Sequence, residues 1–308
     1  MDLATAILTI AGLVLFETIT SIDNAIINAE VLNTLGAKAK RWFLTWGMFI
    51  SVFLIRFMLP WLIVYLANPS LGLIGALTAT FSADPAVVEE IEESTKVLLI
   101  GGGTFLVLLF FSWLFLDTKY YGLSVEKYVA SKAVWFYAVV SILLVGIVWF
   151  ALGVDPMMTL AACIGSMAFF IVHGFRQNAE EQERRMLGGD MSDTSKLFYL
   201  EVVDATFSID SVVGAFAFTM SVPLIMIGCG IGALIVRKIT VSNTETVKKY
   251  HYLKNGAMYS IFFLGSIMIL DSFGVPIPGW VSPVITFAIV GYFFWRSVKE
   301  IKNTTPAG

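Results

Sequence analysis

The sequence predicts an all-α polytopic membrane protein of about nine transmembrane helices, and three observations carry that expectation. Hydrophobic residues make up 57% of the chain and charged residues 14%, at a mean hydropathy of +0.82, whereas a soluble domain carries about 25% charge. Apolar runs of bilayer-spanning length recur along the 308 residues. Lys and Arg gather in every second connection, the distribution expected of cytoplasmic loops. The net charge of -3 says little by itself, but no basic patch is dense enough to suggest a nucleic-acid partner, and the lipid bilayer is the implied surroundings.

Taken in order, the first helix covers 3–33; no basic flank precedes it, so it reads as a retained span and not a signal peptide. Lys38, Lys40 and Arg41 follow it, and a second helix, 42–67, carries Arg56. The connection 68–96 is longer and holds Asp84, Glu89, Glu90, Glu92 and Glu93; Asp84-Pro85, an N-cap followed by proline, predicts a short surface helix there. The third helix, 97–117, opens on Gly101-Gly102-Gly103, small residues that permit a close helix crossing. Helices at 133–152 and 157–175 follow Lys119, Lys127 and Lys132. Arg176, Arg184, Arg185 and Lys196 then precede helices at 197–220 and 222–240. Arg237, Lys238, Lys248, Lys249 and Lys254 precede the last two, 257–274 and 280–298, and Arg296, Lys299 and Lys302 close the tail. The N-terminus is thus expected outside and the C-terminus inside. Phe and Trp are expected mainly toward lipid or in interfacial belts, and Cys163 and Cys229, in no metal-ligand spacing, as packing residues.

Two polar phrases interrupt the apolar runs. Glu17-Thr18-Ile19-Thr20-Ser21-Ile22-Asp23-Asn24 and Asp204-Ala205-Thr206-Phe207-Ser208-Ile209-Asp210-Ser211 place an acid, a hydroxyl and a second acid at the same offsets. A carboxylate at a helix centre costs roughly 2.5–3.5 kcal/mol on insertion scales, so the pairing implies a compensating role. An odd number of helices separates equivalent points, so the phrases run in opposite directions across the membrane. A single transmembrane domain, 1–308, is therefore expected to contain an inverted repeat, with halves at 1–117 and 197–298 joined by 118–196.

On an unbroken helix Glu17 and Ser21 share a face while Asp23 lies round the barrel; a break near Ser21 to Asn24 is expected to bring them together and to free carbonyls as ligands. Asn28 extends that stripe by a turn, and Glu201, Asp204 and Ser208 form another. The candidate ligands are Glu17, Asp23, Asn24, Asn28, Glu201, Asp204 and Asp210, with Ser21, Ser208 and Arg56 auxiliary; Arg56 either pairs with a phrase acid or forms a structural ion pair. All the ligands are oxygen donors, which favour Mg²⁺, Ca²⁺ or Mn²⁺ as a passing ion over zinc or copper, and no permanent cofactor is expected. His173 and His251 stand outside this set. Five carboxylates facing one cavity cannot all stay ionised without cations, so proton uptake after the metal leaves offers a route to antiport.

The two phrases resemble the paired acid, Ser-x-Asp motifs of the TerC family of bacterial integral membrane proteins, within the LysE transporter superfamily. Ser211 in place of a second Asn, and the acidic connection 68–96, mark a divergent branch. The resemblance implies residence in the bacterial cytoplasmic membrane and manganese export or handling, sometimes linked to tellurium resistance, with Glu17, Asp23, Asn24, Glu201, Asp204 and Asp210 along the metal path. The alternatives are a LysE-like exporter of a small molecule, which needs a roomier pocket and an anion-binding group, and an accessory protein that loads metal without transporting it. An intramembrane aspartyl protease fits poorly, because an acid pair sharing one proton has no use for five carboxylates. No enzymatic activity is expected.

Overall fold

A computed structural model describes residues 2–47, 49–50, 56–78, 85–117, 119–187, 191–242 and 247–304, and the regular structure in them is helical throughout. The order is α1 (Leu3–Thr20), α2 (Ile22–Asn33), α3 (Ala37–Trp42), a π-helical turn at Phe43–Gly47, α4 (Arg56–Ala67), a 3₁₀ turn at Pro69–Leu71, α5 (Gly72–Thr78) and α6 (Pro85–Leu116). Then come α7 (Ser124–Ala130), α8 (Phe136–Leu152), α9 (Pro156–Leu187), α10 (Asp193–Ala215), α11 (Val222–Ser242), α12 (Leu253–Ser272) and α13 (Val281–Thr304). Seven helices among the described residues are long and apolar enough to cross a membrane, or eight if α4 and the segment Pro69–Thr78, bent from it by 107°, count as one broken span. The chain is a multi-pass membrane protein.

The nine runs expected from sequence map onto this set with three differences. The first splits at Ser21 into α1 and α2. The second becomes the π turn and α4, with 51–55 outside the described residues. The run at 197–220 lies largely in α10, which is not among the seven apolar spans; this helix carries Lys196, Glu201, Asp204 and Asp210. Pro85 does start a helix, but α6 runs unbroken from it through Leu116, so no separate surface helix forms; Asp84 lies outside the described residues. No glycine or proline interrupts 86–100 to stop it.

Helix α6 is the central post, the most buried of the spans. Small residues bring its neighbours in. A Cβ on Gly165 of α9 would strike the carbonyl of Gly101, and one on Gly103 would lie 2.8 Å from the carbonyl oxygen of Gly265 on α12, so the Gly101–Gly103 run makes the expected close crossings on two sides. Helix α11 meets α1 in the same way: Gly228 accommodates Leu13, and Gly232 leaves room for the side chain of Glu17. Several aromatics expected at the lipid surface are interior: Phe16, Phe105, Phe110, Trp113, Phe136 and Phe169 are buried, and the Phe110 and Phe262 rings lie 4.6 Å apart. Trp135, Trp149, Trp280 and Trp295 are exposed, as belt or lipid-facing residues would be.

Candidate functional site

Hydroxyl groups shape the first phrase. Thr18 donates to the carbonyl of Val14 (2.7 Å) and Thr20 to that of Phe16 (2.8 Å), competing with the helical ladder, and Ser21 leaves the helix at φ -92°, ψ 4°. The break lies where sequence placed it, but it frees no carbonyl at Glu17, whose oxygen accepts from both the Ser21 amide and the Thr20 hydroxyl. The second phrase stays in one helix, with the Ser208 hydroxyl turned back onto the Asp204 carbonyl at 2.7 Å.

The break does not bring Glu17 and Asp23 to one point. Two tiers form instead. In the buried tier, Arg56 of α4 donates through Nε to Glu17 Oε1 (2.7 Å) and through Nη1 to Asp204 Oδ2 (3.4 Å). Ser21 donates to Glu17 Oε1 at 3.0 Å, and Asn24 donates its amide to Asp204 Oδ1. Glu17, Asn24, Arg56 and Asp204 are all buried. Helices α1, α2, α4 and α10 therefore meet here, and Arg56 pairs with the acids that head both phrases.

The second tier borders a cavity of about 590 Å³ whose lining includes Asp23, Asp117, His173, Arg176, Asp210 and Lys254. Lys254 bridges Asp23 (2.9 Å) and Asp117 (3.5 Å), and Arg176 pairs with Asp210 while stacking over Phe207. Acids at equivalent offsets thus behave alike. Glu17 and Asp204 share one guanidinium; Asp23 and Asp210 each face the cavity with a cation of their own. Among the described residues no three Asp, Glu, His or Cys side chains gather as a ready-made metal cage. The reason is physical: Glu17, Asp23, Asp204 and Asp210 have each drawn a basic side chain from another helix, which relieves the like-charge repulsion that a carboxylate cluster would suffer.

Glu201 stands apart from both arrangements. Arg237, which sequence assigned to a loop, lies within α11 near Glu201 and Asp204, but directs its guanidinium to the Phe43 carbonyl and ring. A set of buried oxygens is left without a hydrogen-bond donor: Glu17 Oε2, Asn24 Oδ1, Asn28 Oδ1, both carboxylate oxygens of Glu201, and Asp210 Oδ1. Each such oxygen costs about 1–3 kcal/mol of unrecovered desolvation. All six belong to residues that the sequence nominates as cation ligands.

Sequence reasoning missed Arg176, Lys254, Asp117, Arg237 and Cys229, the last a buried thiol beside Glu17 and Arg56. It also left out His173, whose ring lines the cavity and bonds Ser112 (3.3 Å) and Gln177 (3.1 Å). A signal for part of this was present: His173, Arg176 and Gln177 fall at i, i+3 and i+4, one polar stripe at the end of an apolar run. His251 remains outside the site, stacked on Tyr120.

Over residues 22–304 the chain matches the model of a family described as "Protein of unknown function (DUF475)". No curated protein and no solved structure matches it.

Proposed function

We propose that this chain, which belongs to the DUF475 family, is a membrane transporter exporting a divalent metal cation. The observation that carries the proposal is the set of donor-less buried oxygens on Glu17, Asn24, Asn28, Glu201 and Asp210, all residues of the two polar phrases and their stripes, with Asn24 bonded to Asp204. Hard oxygen donors without hydrogen-bond donors are what a dehydrated Mg²⁺, Ca²⁺ or Mn²⁺ ion satisfies. The resemblance of the two phrases to TerC proteins favours Mn²⁺ and a bacterial cytoplasmic membrane. The 590 Å³ cavity, lined by Asp23 and Asp210, is large enough for an ion to arrive hydrated before losing its shell at the buried tier. The contacts of Asn24 with Asp204, Thr34 with Lys196 and Gly36 with Asp193 run the helices of the two phrases in opposite directions, which supports an inverted repeat within nine membrane segments. On this topology the N-terminus faces outward, and Asp117, Arg176 and Lys254 lie at the basic, cytoplasmic end of the bundle. Proton uptake at emptied carboxylates remains the proposed coupling, restricted to acids that have no basic partner at that moment.

A second reading has one observation in its favour. The cavity presents Asp23 and Asp117 together with Arg176, which supplies the roomier pocket and the anion-binding group that a LysE-like exporter of a zwitterion requires. One assay separates the readings. Proteoliposomes containing the full chain alone are expected to take up Mn²⁺ saturably, without competition from basic amino acids, and Asp210→Asn is expected to abolish uptake. Amino-acid flux without Mn²⁺ flux selects the second reading; Mn²⁺ binding without flux selects an accessory role.

A further inference from the structure

Resting on the metal-transport reading, we propose that Arg56 determines specificity: it is a tethered monovalent cation seated in the cation site, displaced by a divalent ion and not by a monovalent one. Its guanidinium occupies the space between the acids that head the two phrases, at 2.7 Å from Glu17 and 3.4 Å from Asp204. It comes from a fourth helix, α4, that contributes no other candidate ligand. The contacts are unequal. The Glu17 bond is short and reinforced by Ser21, whereas Asp204 is held at the longer distance and takes its close hydrogen bond from Asn24. The Asp204 side is therefore the easier one to open, and it is the side on which Asn24 and Glu201 carry buried oxygens without donors. The charged and titratable groups around Arg56 are Glu17 from α1, Asp204 from α10 and the Cys229 thiol from α11.

Competition follows from charge. Coulomb attraction to the two acids scales with the charge of the occupant, so a sodium or potassium ion gains no more than the guanidinium already has. It must also shed its water and compete with a group held at the site by a covalent tether, whose effective concentration bulk salt does not match. A divalent ion gains twice the attraction, and small hard ions gain further from the free oxygens. Arg56 thus lowers affinity for every cation and excludes the monovalent ones, much as a ligand must contend with the fraction of sites that are open to it.

The test is equilibrium Mn²⁺ binding to the purified full-length protein, read by the Mn²⁺ EPR signal, with NaCl or N-methylglucamine chloride at equal ionic strength so that screening is matched. Wild type is expected to bind Mn²⁺ with the same affinity in both salts. Arg56→Gln is expected to bind Mn²⁺ about tenfold or more tightly in N-methylglucamine and to lose that gain in NaCl. Arg56→Lys, which keeps the charge and is the milder change for folding, is expected to retain indifference to sodium. Sodium competition in wild type, or weaker Mn²⁺ binding by Arg56→Gln with no sodium sensitivity, overturns the role given to Arg56 while leaving a metal site. Absence of Mn²⁺ binding by folded wild type overturns the metal-transport reading itself.

Discussion

Asp204 joins more of the site than any other side chain: it accepts from Asn24 in the first phrase and from Arg56 on α4, and it lies one helical turn from Glu201. Asp204→Asn keeps the shape and removes the charge, leaving Arg56 with Glu17 alone. The variant is expected to lose Mn²⁺ flux while remaining folded, at a stability cost of about 1–3 kcal/mol; flux in proteoliposomes and the melting temperature in detergent read the two effects separately. Lys119 offers a pH test outside the spans. Burial, opposed in part by Asp117 and Glu126, pushes its ammonium down to about 8, while its Nζ donates to the carbonyls of Trp113 and Leu114 at the end of α6. An unfolded chain keeps that proton to near 10.4, so between about pH 8 and pH 10 the unfolded state binds more protons and stability rises with pH from this group. Lys119→Gln is expected to flatten that rise in a melting-temperature profile. The acids and amides of the site were readable from the sequence because carboxylates inside apolar runs are rare. Of their partners only Arg56 was, since Arg176 and Lys254 border apolar runs and look like loop charges until other helices are packed against them.

Helix contacts are set by glycines as much as by apolar side chains. Gly101 and Gly165 let α6 and α9 touch backbone to backbone, which positions α9 and hence Arg176 and His173 beside the cavity. Gly165→Val is expected to force the two helices apart at a cost of about 1–3 kcal/mol, seen as a lower melting temperature, whereas Gly146→Ala on α8, where an added methyl meets nothing within 4 Å, leaves it unchanged or raised. Small-residue crossing was legible in Gly101-Gly102-Gly103. What sequence did not show was the continuity of α6 from Pro85, or the bend of 107° after α4, because both depend on which neighbours take up the backbone's freedom. The split of the first run at Ser21 was legible in its hydroxyls; the fate of the freed length was not. Asp23 moved to Lys254 in place of Glu17 because a basic partner on α12 stabilises it more than a second carboxylate does.

Across the whole molecule, charge is buried where helices from the first part of the chain meet α10, beside the apolar post of α6. Helices α1 and α2 supply one set of oxygens, α10 the other, and basic side chains from α4, α9 and α12 hold the sets in place. Burying those charges is costly, and exchange of a divalent ion with the cations that hold them is the role proposed. Fold class and membrane character were legible in composition and apolar runs. The two-tier division was not, because it is set by cross-helix ion pairs with no sequence periodicity. An anomalous-scattering map from Mn²⁺-soaked crystals tests this most directly. The expected result is a peak within about 2.0–2.6 Å of oxygens on Asp204, Asn24 and Glu201, with the Arg56 guanidinium moved away from Asp204. A map with manganese only at the protein surface, and Arg56 still between Glu17 and Asp204, would contradict the proposed cation path.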